Sequence, residues 1–263
     1  HFFRDLNDNN YESKIDITIP FLTNGKQGNA NIIKFGGLYS RSERDFSEYQ
    51  FQHTRHGGVP SFLSFNAQGG DPQKYFDYAN FGVIDTTYDV GGNINRYTIG
   101  YHYINQINNK NFYSGTQEIG AAYLMAVYEL TSRIKLVAGA RLETTNLFVE
   151  SRDTLLEPSK LDLADLLYSG NVIYKLTEKS NLRLAASRTL ARPNMRELAP
   201  FEQFDTKNGF FNIGNPGLQR TIIHNYDFRY ELYPELGELI AVSAFYKKFN
   251  NPILRTFSPT ATI

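Results

Sequence analysis

Asn181–Pro216 reads NLRLAASRTLARPNMRELAPFEQFDTKNGFFNIGNP, and its opening strand decides the fold. Leu182, Leu184 and Ala186 fall on one side of an extended chain, and Arg183, Ala185 and Ser187 on the other. A strand that is apolar on one face and polar on the other suits a barrel wall, with lipid outside and water inside. Beyond Leu190 the alternation stops, and the chain enters a segment rich in Arg, Asn, Pro and Gly.

The same alternation recurs along the chain as four hairpins, eight strands in all. The first pairs 11–21 with 30–52 through a turn at 23–28, where Asn24-Gly25 is a strong hairpin signal. Ile15, Ile17, Ile19 and Phe21 share one face, while Lys14, Asp16 and Thr18 share the other. The second pairs 118–130 with 134–150. Its apolar rows are expected to be Ile119, Ala121, Tyr123, Met125 and Val127, facing Ile134, Leu136, Ala138, Ala140 and Leu142. The third pairs 166–176 with 181–190, and the fourth pairs 221–233 with 238–249. In the last, Ile222, Tyr226, Phe228, Tyr230 and Leu232 point one way, interrupted by His224, and Asn225, Asp227, Arg229 and Glu231 point the other. Joins inside hairpins are short, whereas 53–117, 151–165 and 191–220 are long. Short turns at one end and long loops at the other is the layout of an outer-membrane barrel. Within the longest loop, Asp71 and Pro72 are a cap and first residue for one or two helical turns.

Composition narrows the function. Lys plus Arg equals Asp plus Glu at 27 each, so nothing points to nucleic acid as a partner. Cysteine is absent, which excludes disulfides and thiolate metal sites. Tyr (18) and Phe (20) are abundant, and both favour strands. No run approaches the roughly 18 apolar residues of a membrane helix, but a barrel does not need one, since only alternate residues face lipid. The opening His1-Phe-Phe-Arg-Asp has neither the basic start nor the apolar core of a secretory signal, as expected of a mature protein or a piece of a longer one.

Catalytic signatures are missing: there is no Gly-x-Ser-x-Gly elbow, His-Glu-x-x-His or Walker loop. The chain is therefore read as not an enzyme, with no catalytic residue, metal ligand or cofactor assigned. His53, His56 and His102 share the long loop, with solvated loop histidines the plainer reading than a metal or haem contact. The inward charges Lys135, Arg141, Glu143, Arg183, Asp227, Arg229 and Glu231 either form cross-strand ion pairs or line the lumen; pairing is preferred, because a polar wall needs such residues whatever passes it. Binding candidates lie on the long loops, since loops on a rigid scaffold tend to carry function. Arg192, Arg196 and Glu197 sit where a strand leaves the wall, and a rim rich in Arg and Asn suits an anionic or oxygen-rich ligand. The bland alternative is a stiff loop closed by Pro193 and Pro200. Tyr75, Tyr78 and Tyr88 offer flat faces for a ring or a sugar.

Several blocks resemble TonB-dependent outer-membrane receptors, in the order that family shows. They are Ile32–Tyr39 with Arg44-Asp-Phe46, Ile119–Tyr128, Val137–Glu143, Arg188–Pro200, Gly214-Asn-Pro-Gly217 and Ala244–Pro252. The resemblance covers nearly the whole chain. It implies an all-β fold: an antiparallel transmembrane barrel segment with short periplasmic turns and long extracellular loops, part of a barrel of about 22 strands. Residues 1–263 would then be one portion of that barrel domain, with the plug domain and the barrel's C-terminal end lying outside it. The implied function is active uptake of a scarce or large solute (siderophore, haem, vitamin or glycan) across the Gram-negative outer membrane. The implied partners are outer-membrane lipid, the plug of the same full-length chain, the TonB complex through parts outside these residues, and a surface lipoprotein. Two other classes fit the alternation alone: a stand-alone eight-strand barrel serving as an adhesin or structural protein, and a soluble β-sandwich that binds carbohydrate.

Overall fold

The computed structural model describes residues 2–23, 30–55, 69–205, 207 and 209–257. In chain order the strands are β1 (Phe2–Thr23), β2 (Ala30–Arg55), β3 (Val83–Tyr88), β4 (Ile94–Ile99), β5 (Tyr101–Asn105), β6 (Phe112–Thr131), β7 (Ile134–Ser151), β8 (Ser159–Thr177), β9 (Ser180–Ala191), β10 (Glu202–Asp205), β11 (Phe210–Ile213), β12 (Thr221–Leu232) and β13 (Ile240–Asn250). Two helical turns, α1 (Pro72–Tyr75) and α2 (Met195–Leu198), lie in the connections. The main sheet runs β1-β2-β6-β7-β8-β9-β12-β13, with β5 added to β2; β3 pairs β4 and β10 pairs β11. Contacts divide the chain into two compact units: His1–Asp5 with Phe46–Asn111, and Leu6–Asp45 with Phe112–Ile263.

Pairing in the larger unit follows the alternation. Leu136 opposes Tyr128 and Val172, Val172 opposes Leu184, Leu184 opposes Phe228, and Phe228 opposes Ala244. Side chains directly opposite share a face, so the middle stretches of these six strands present one apolar face, which turns polar beyond Leu142 and Leu166 at Glu118, Asn146, Glu150, Lys160 and Asp162. The other face carries Arg141, Glu143, Asp165, Arg183, Arg229 and Glu231.

One row differs from expectation. Leu142 opposes Ala122, Ala140 opposes Leu124 and Ala138 opposes Ala126, so these β6 residues share the apolar face. Ile119, Tyr123, Met125 and Val127 lie on the polar face instead. The cause is a register shift between Glu129 and Thr131, beside the β6–β7 turn. An extra residue there, Leu130, moves every β6 side chain to the opposite face. The β8–β9 turn repeats the device, with its shift between Lys175 and Thr177, at Leu176. Both tight turns start on a threonine whose hydroxyl accepts a backbone N–H two residues on, from Arg133 at 3.2 Å and from Lys179 at 3.2 Å. The Asn24-Gly25 turn lies outside the described residues.

On the polar face of β1, β2 and β6, the Tyr123 hydroxyl donates to Asp16. Gly36 makes room for this ring: a Cβ there would lie 2.8 Å from Tyr123 Cε1 and 2.3 Å from the Ile15 carbonyl oxygen.

Strands also run further than their alternation suggests, and the β7–β8 connection shrinks to 152–158. The β8–β9 ladder stops at Ser169 opposite Ser187. Past that point Arg188 donates to the Leu166 carbonyl oxygen at 3.0 Å, bridging strands that no longer pair.

Candidate functional site

Two places carry chemistry, one in each unit. In the larger unit, the segment after β9 folds onto the polar face. Asn194 caps α2 by accepting the Glu197 N–H at 2.9 Å, while the Glu197 carboxylate accepts the Asn194 N–H at 2.9 Å. This reciprocal pair is a capping box, readable as Asn-x-x-Glu at 194–197. Pro193, Met195, Leu198, Ala199 and Phe201 are buried. They meet a small core with Tyr113, Leu147, Val149 and Leu161, all buried too. Met195 Sδ would lie 2.9 Å from a Cβ at Gly115, which explains the missing side chain there. Asn215 N–H donates to the Glu197 carbonyl at 2.7 Å, and a Cβ on Gly214 would lie 1.9 Å from the Ala199 carbonyl oxygen.

Beside this lid the polar face holds a charged network. Glu143 and Asp165 oppose each other across β7 and β8, and both are buried. Arg141 binds Glu143 at 2.7 Å, and Arg192 pairs with Glu143 while donating to Thr145 Oγ1 at 2.8 Å. Asp165 is held by Arg220 at 2.6 Å, with Arg188 at 3.8 Å. Lower on the face, buried Glu231 binds Arg183 at 3.0 Å and Arg229 at 2.8 Å. Arg183 and Arg229 are themselves register partners, so one carboxylate bridges two opposed guanidiniums and relieves their repulsion. Of the expected inward charges, Arg141, Glu143, Arg183, Arg229 and Glu231 are thus wall ion pairs.

The loop candidates of this unit are anchored. Arg192 is committed to Glu143 and Thr145. Arg196 donates to the Phe201 carbonyl at 3.1 Å and lies over the Phe201 ring, 4.2 Å from its centroid. Glu197 closes the capping box.

The smaller unit is built on aromatic packing. Asp71 caps α1 by accepting the Gln73 N–H at 2.9 Å, with Pro72 at the first position. Tyr75 sits 4.9 Å from the Tyr101 ring, and Phe81 stacks on Tyr103 at 5.1 Å. Tyr101 is 1% exposed and centres the cluster. Tyr78 and Tyr88 behave differently, standing 91% and 62% exposed. Tyr88 ends β3, next to a turn organised by Asp89, whose carboxylate accepts the N–H groups of Gly91 and Asn93 at 2.8 Å each. Those bonds, led by Asn93, hold the Asp89 carboxyl below its ordinary range. The structure therefore separates Tyr75, a packed residue, from Tyr78 and Tyr88, which present open ring faces. His102 opposes Thr54 in the β2–β5 ladder; the side chain of His53, and the whole of His56, lie outside the described residues.

Alternation of side chains could not have shown the folded-back lid, because Met195, Leu198 and Phe201 follow no strand period. The capping box and the Met195–Leu198 spacing were its only local signals.

The profile of a family described as TonB dependent receptor-like, beta-barrel matches residues 3–263. No curated protein matches the sequence. Among solved structures, the chain is similar to the ferric enterobactin receptor PfeA of Pseudomonas aeruginosa. That match has 15% identity and a TM-score of 0.53, covering 97% of this chain and 29% of that one. It is also similar to the ferric-catecholate import receptor Fiu of E. coli K12, at 13% identity and a TM-score of 0.53, covering 98% and 33%. The chain spans about a third or less of those receptors. At such identities the likeness is one of fold.

Proposed function

The chain belongs to the TonB-dependent receptor-like β-barrel family, and on that premise we propose that it forms part of the wall of an outer-membrane uptake receptor of a Gram-negative bacterium. The observation that carries the reading is the register from β6 to β13, which sets one apolar face against one ion-paired polar face. An apolar face suits lipid and a polar one suits a water-filled interior with a plug. In this reading the receptor binds a scarce or large solute (siderophore, haem, vitamin or glycan) and imports it with TonB-coupled energy. The plug and the TonB-binding parts belong to the full-length chain, and a surface lipoprotein is a further partner.

Solute recognition falls to the long connections. Tyr78 and Tyr88 are the proposed contact surfaces, with Tyr75 supporting them from the aromatic cluster. Arg196 is the proposed polar contact on the lid, while Arg192 and Glu197 position it. Tyr78→Ala and Tyr88→Ala should each weaken solute binding about three- to tenfold, since an aromatic contact contributes about 0.5–1.5 kcal/mol. Arg196→Ala should lower uptake more than it lowers surface abundance. Measuring both quantities decides the matter. Uptake that falls only in step with abundance in all three variants would leave these residues as parts of the scaffold.

A further inference from the structure

The connection 192–220 leaves and rejoins the wall at one rung of the sheet. Arg192, at its entry, pairs with Glu143 and donates to Thr145 Oγ1 at 2.8 Å. Arg220, at its exit, binds Asp165 at 2.6 Å. Glu143 and Asp165 are register partners, so both ends of the connection are clamped across a single pair of the β7–β8 ladder. Ser159 Oγ donates to the Pro216 carbonyl at 3.0 Å, a third tie to β8.

Between these clamps the lid has no hinge. Residues 191–201 contain no glycine, and Pro193 and Pro200 stand on either side of α2. Each proline fixes its own φ. Leu198 and Ala199 are fully buried, and Phe201 is nearly so. The contact with the wall leaves no room for a methyl group: a Cβ at Gly115 would lie 2.9 Å from Met195 Sδ and 3.3 Å from Met195 Cγ. Packing this close holds one arrangement and does not yield gradually. Arg196 is pinned within the same block, by the Phe201 carbonyl at 3.1 Å and by the Phe201 ring.

We propose that the lid is a fixed sill of the interior, which stays docked on β6–β8 in the resting and the energised receptor alike. The proposal rests on the reading that the polar face lines the interior of an uptake receptor. Solute passing on this side then meets Arg196 already in place, and recognition there needs no closing motion.

The test uses the whole receptor with Gly115→Cys and Met195→Cys combined. Met195 Cγ marks where the second sulfur would sit, and its 3.3 Å from a Gly115 Cβ is near the roughly 3 Å that disulfide geometry requires. One sample is measured oxidised and then reduced. Hydrogen exchange at Leu198 and Ala199, taken relative to Leu147 and Val149 in the β7 ladder, should be equally slow in both states. An undisturbed lid has no local opening for the bond to suppress. Slowing by about tenfold or more on oxidation would overturn the proposal, since amides exchange through such openings.

A second measurement follows the lid in intact cells. Met195→Cys should resist a sulfonated maleimide whether or not a protonophore is present. Ala191→Cys, an exposed position at the lid's entry, should react in both conditions. Labelling of Met195→Cys that the protonophore abolishes would mean that the lid opens with energy, and would also overturn the proposal. If Ala191→Cys reacts only after the outer membrane is opened, the reading of the polar face as an interior that solute enters fails, while exchange still decides whether the lid is fixed.

Discussion

Glu143 and Asp165 stand directly opposite each other in the β7–β8 ladder, both buried, each held by two arginines. Two like charges at that spacing repel, so each carboxylate depends on its guanidiniums. The four arginines come from β7, from β9 and its exit, and from the entry to β12. This cluster therefore ties the lid and the strand ends to the wall.

A double-mutant cycle on Arg192→Ala and Glu143→Gln should reveal coupling of roughly 1–3 kcal/mol, the range for residues in one network. Arg192 is 18% exposed and Glu143 7%, so solvent screens the pair only in part. The measurement is unfolding of the whole receptor in urea and detergent. Additive single effects would mean that Arg192 only packs.

Face assignment is testable at neighbouring residues. Leu124→Arg and Leu136→Arg should each cost about 2–4 kcal/mol if they lie near the bilayer midplane. Met125→Arg and Val137→Arg, on the polar face, should cost less. The β6 comparison is the sharper one, because without the bulge at Leu130 its outcome would invert.

Topology predicts labelling. Cysteine placed at Gly69, in the long connection between β2 and β6, should react with an impermeant reagent on intact cells. Cysteine at Lys179, in the β8–β9 turn, should react only after the membrane is opened. The reverse pattern would turn the receptor upside down.

Gly214→Ala should loosen the lid, since its Cβ would meet the Ala199 carbonyl oxygen at 1.9 Å. Overpacking of this kind costs about 1–3 kcal/mol. The expected readout is faster hydrogen exchange at Leu198 and Ala199, with the ladder from β6 to β9 unaltered. Unchanged exchange at those two amides would show that the backbone shifts without opening.

Asp89 gives a pH signature. Its carboxyl is held below the ordinary 3.8, chiefly by the Asn93 N–H. A depressed carboxyl stabilises the turn above its unfolded value, and that contribution is lost as pH falls through the folded value. The amide resonances of Gly91 and Asn93 should therefore shift below pH 3.8, and Asp89→Asn should abolish the shift.

The wall was legible because a half-buried strand repeats every two residues, and long runs such as Ile134–Leu142 and Ile222–Leu232 make that period unmistakable. The β6 face was misread for a local reason. Nothing in Glu129-Leu130-Thr131 distinguishes a bulge from a plain two-residue turn, until Lys175-Leu176-Thr177 is seen to do the same thing before the next turn. The Asp71–Pro72 cap was readable because capping is local. The Glu143–Asp165 cluster was not, because its arginines are brought from distant segments by register. The short hairpins β3–β4 and β10–β11 hid inside polar stretches, where alternation carries little hydrophobic contrast.

The excursion between β2 and β6 also bears on how the wall assembles. Apart from the β9–β12 join, every other join in the main sheet links strands consecutive in the chain, so each can zip onto its predecessor soon after it forms. Setting β6 against β2 must close the longest segment of the chain, and closure entropy grows with the logarithm of the free length. Pairing β5 with the end of β2, through Phe51 opposite Asn105 to Arg55 opposite Tyr101, brings the returning chain back before β6 begins. The segment that carries Tyr78 and Tyr88 thus acts as a splint, shortening the search that would otherwise slow the strand order at this step.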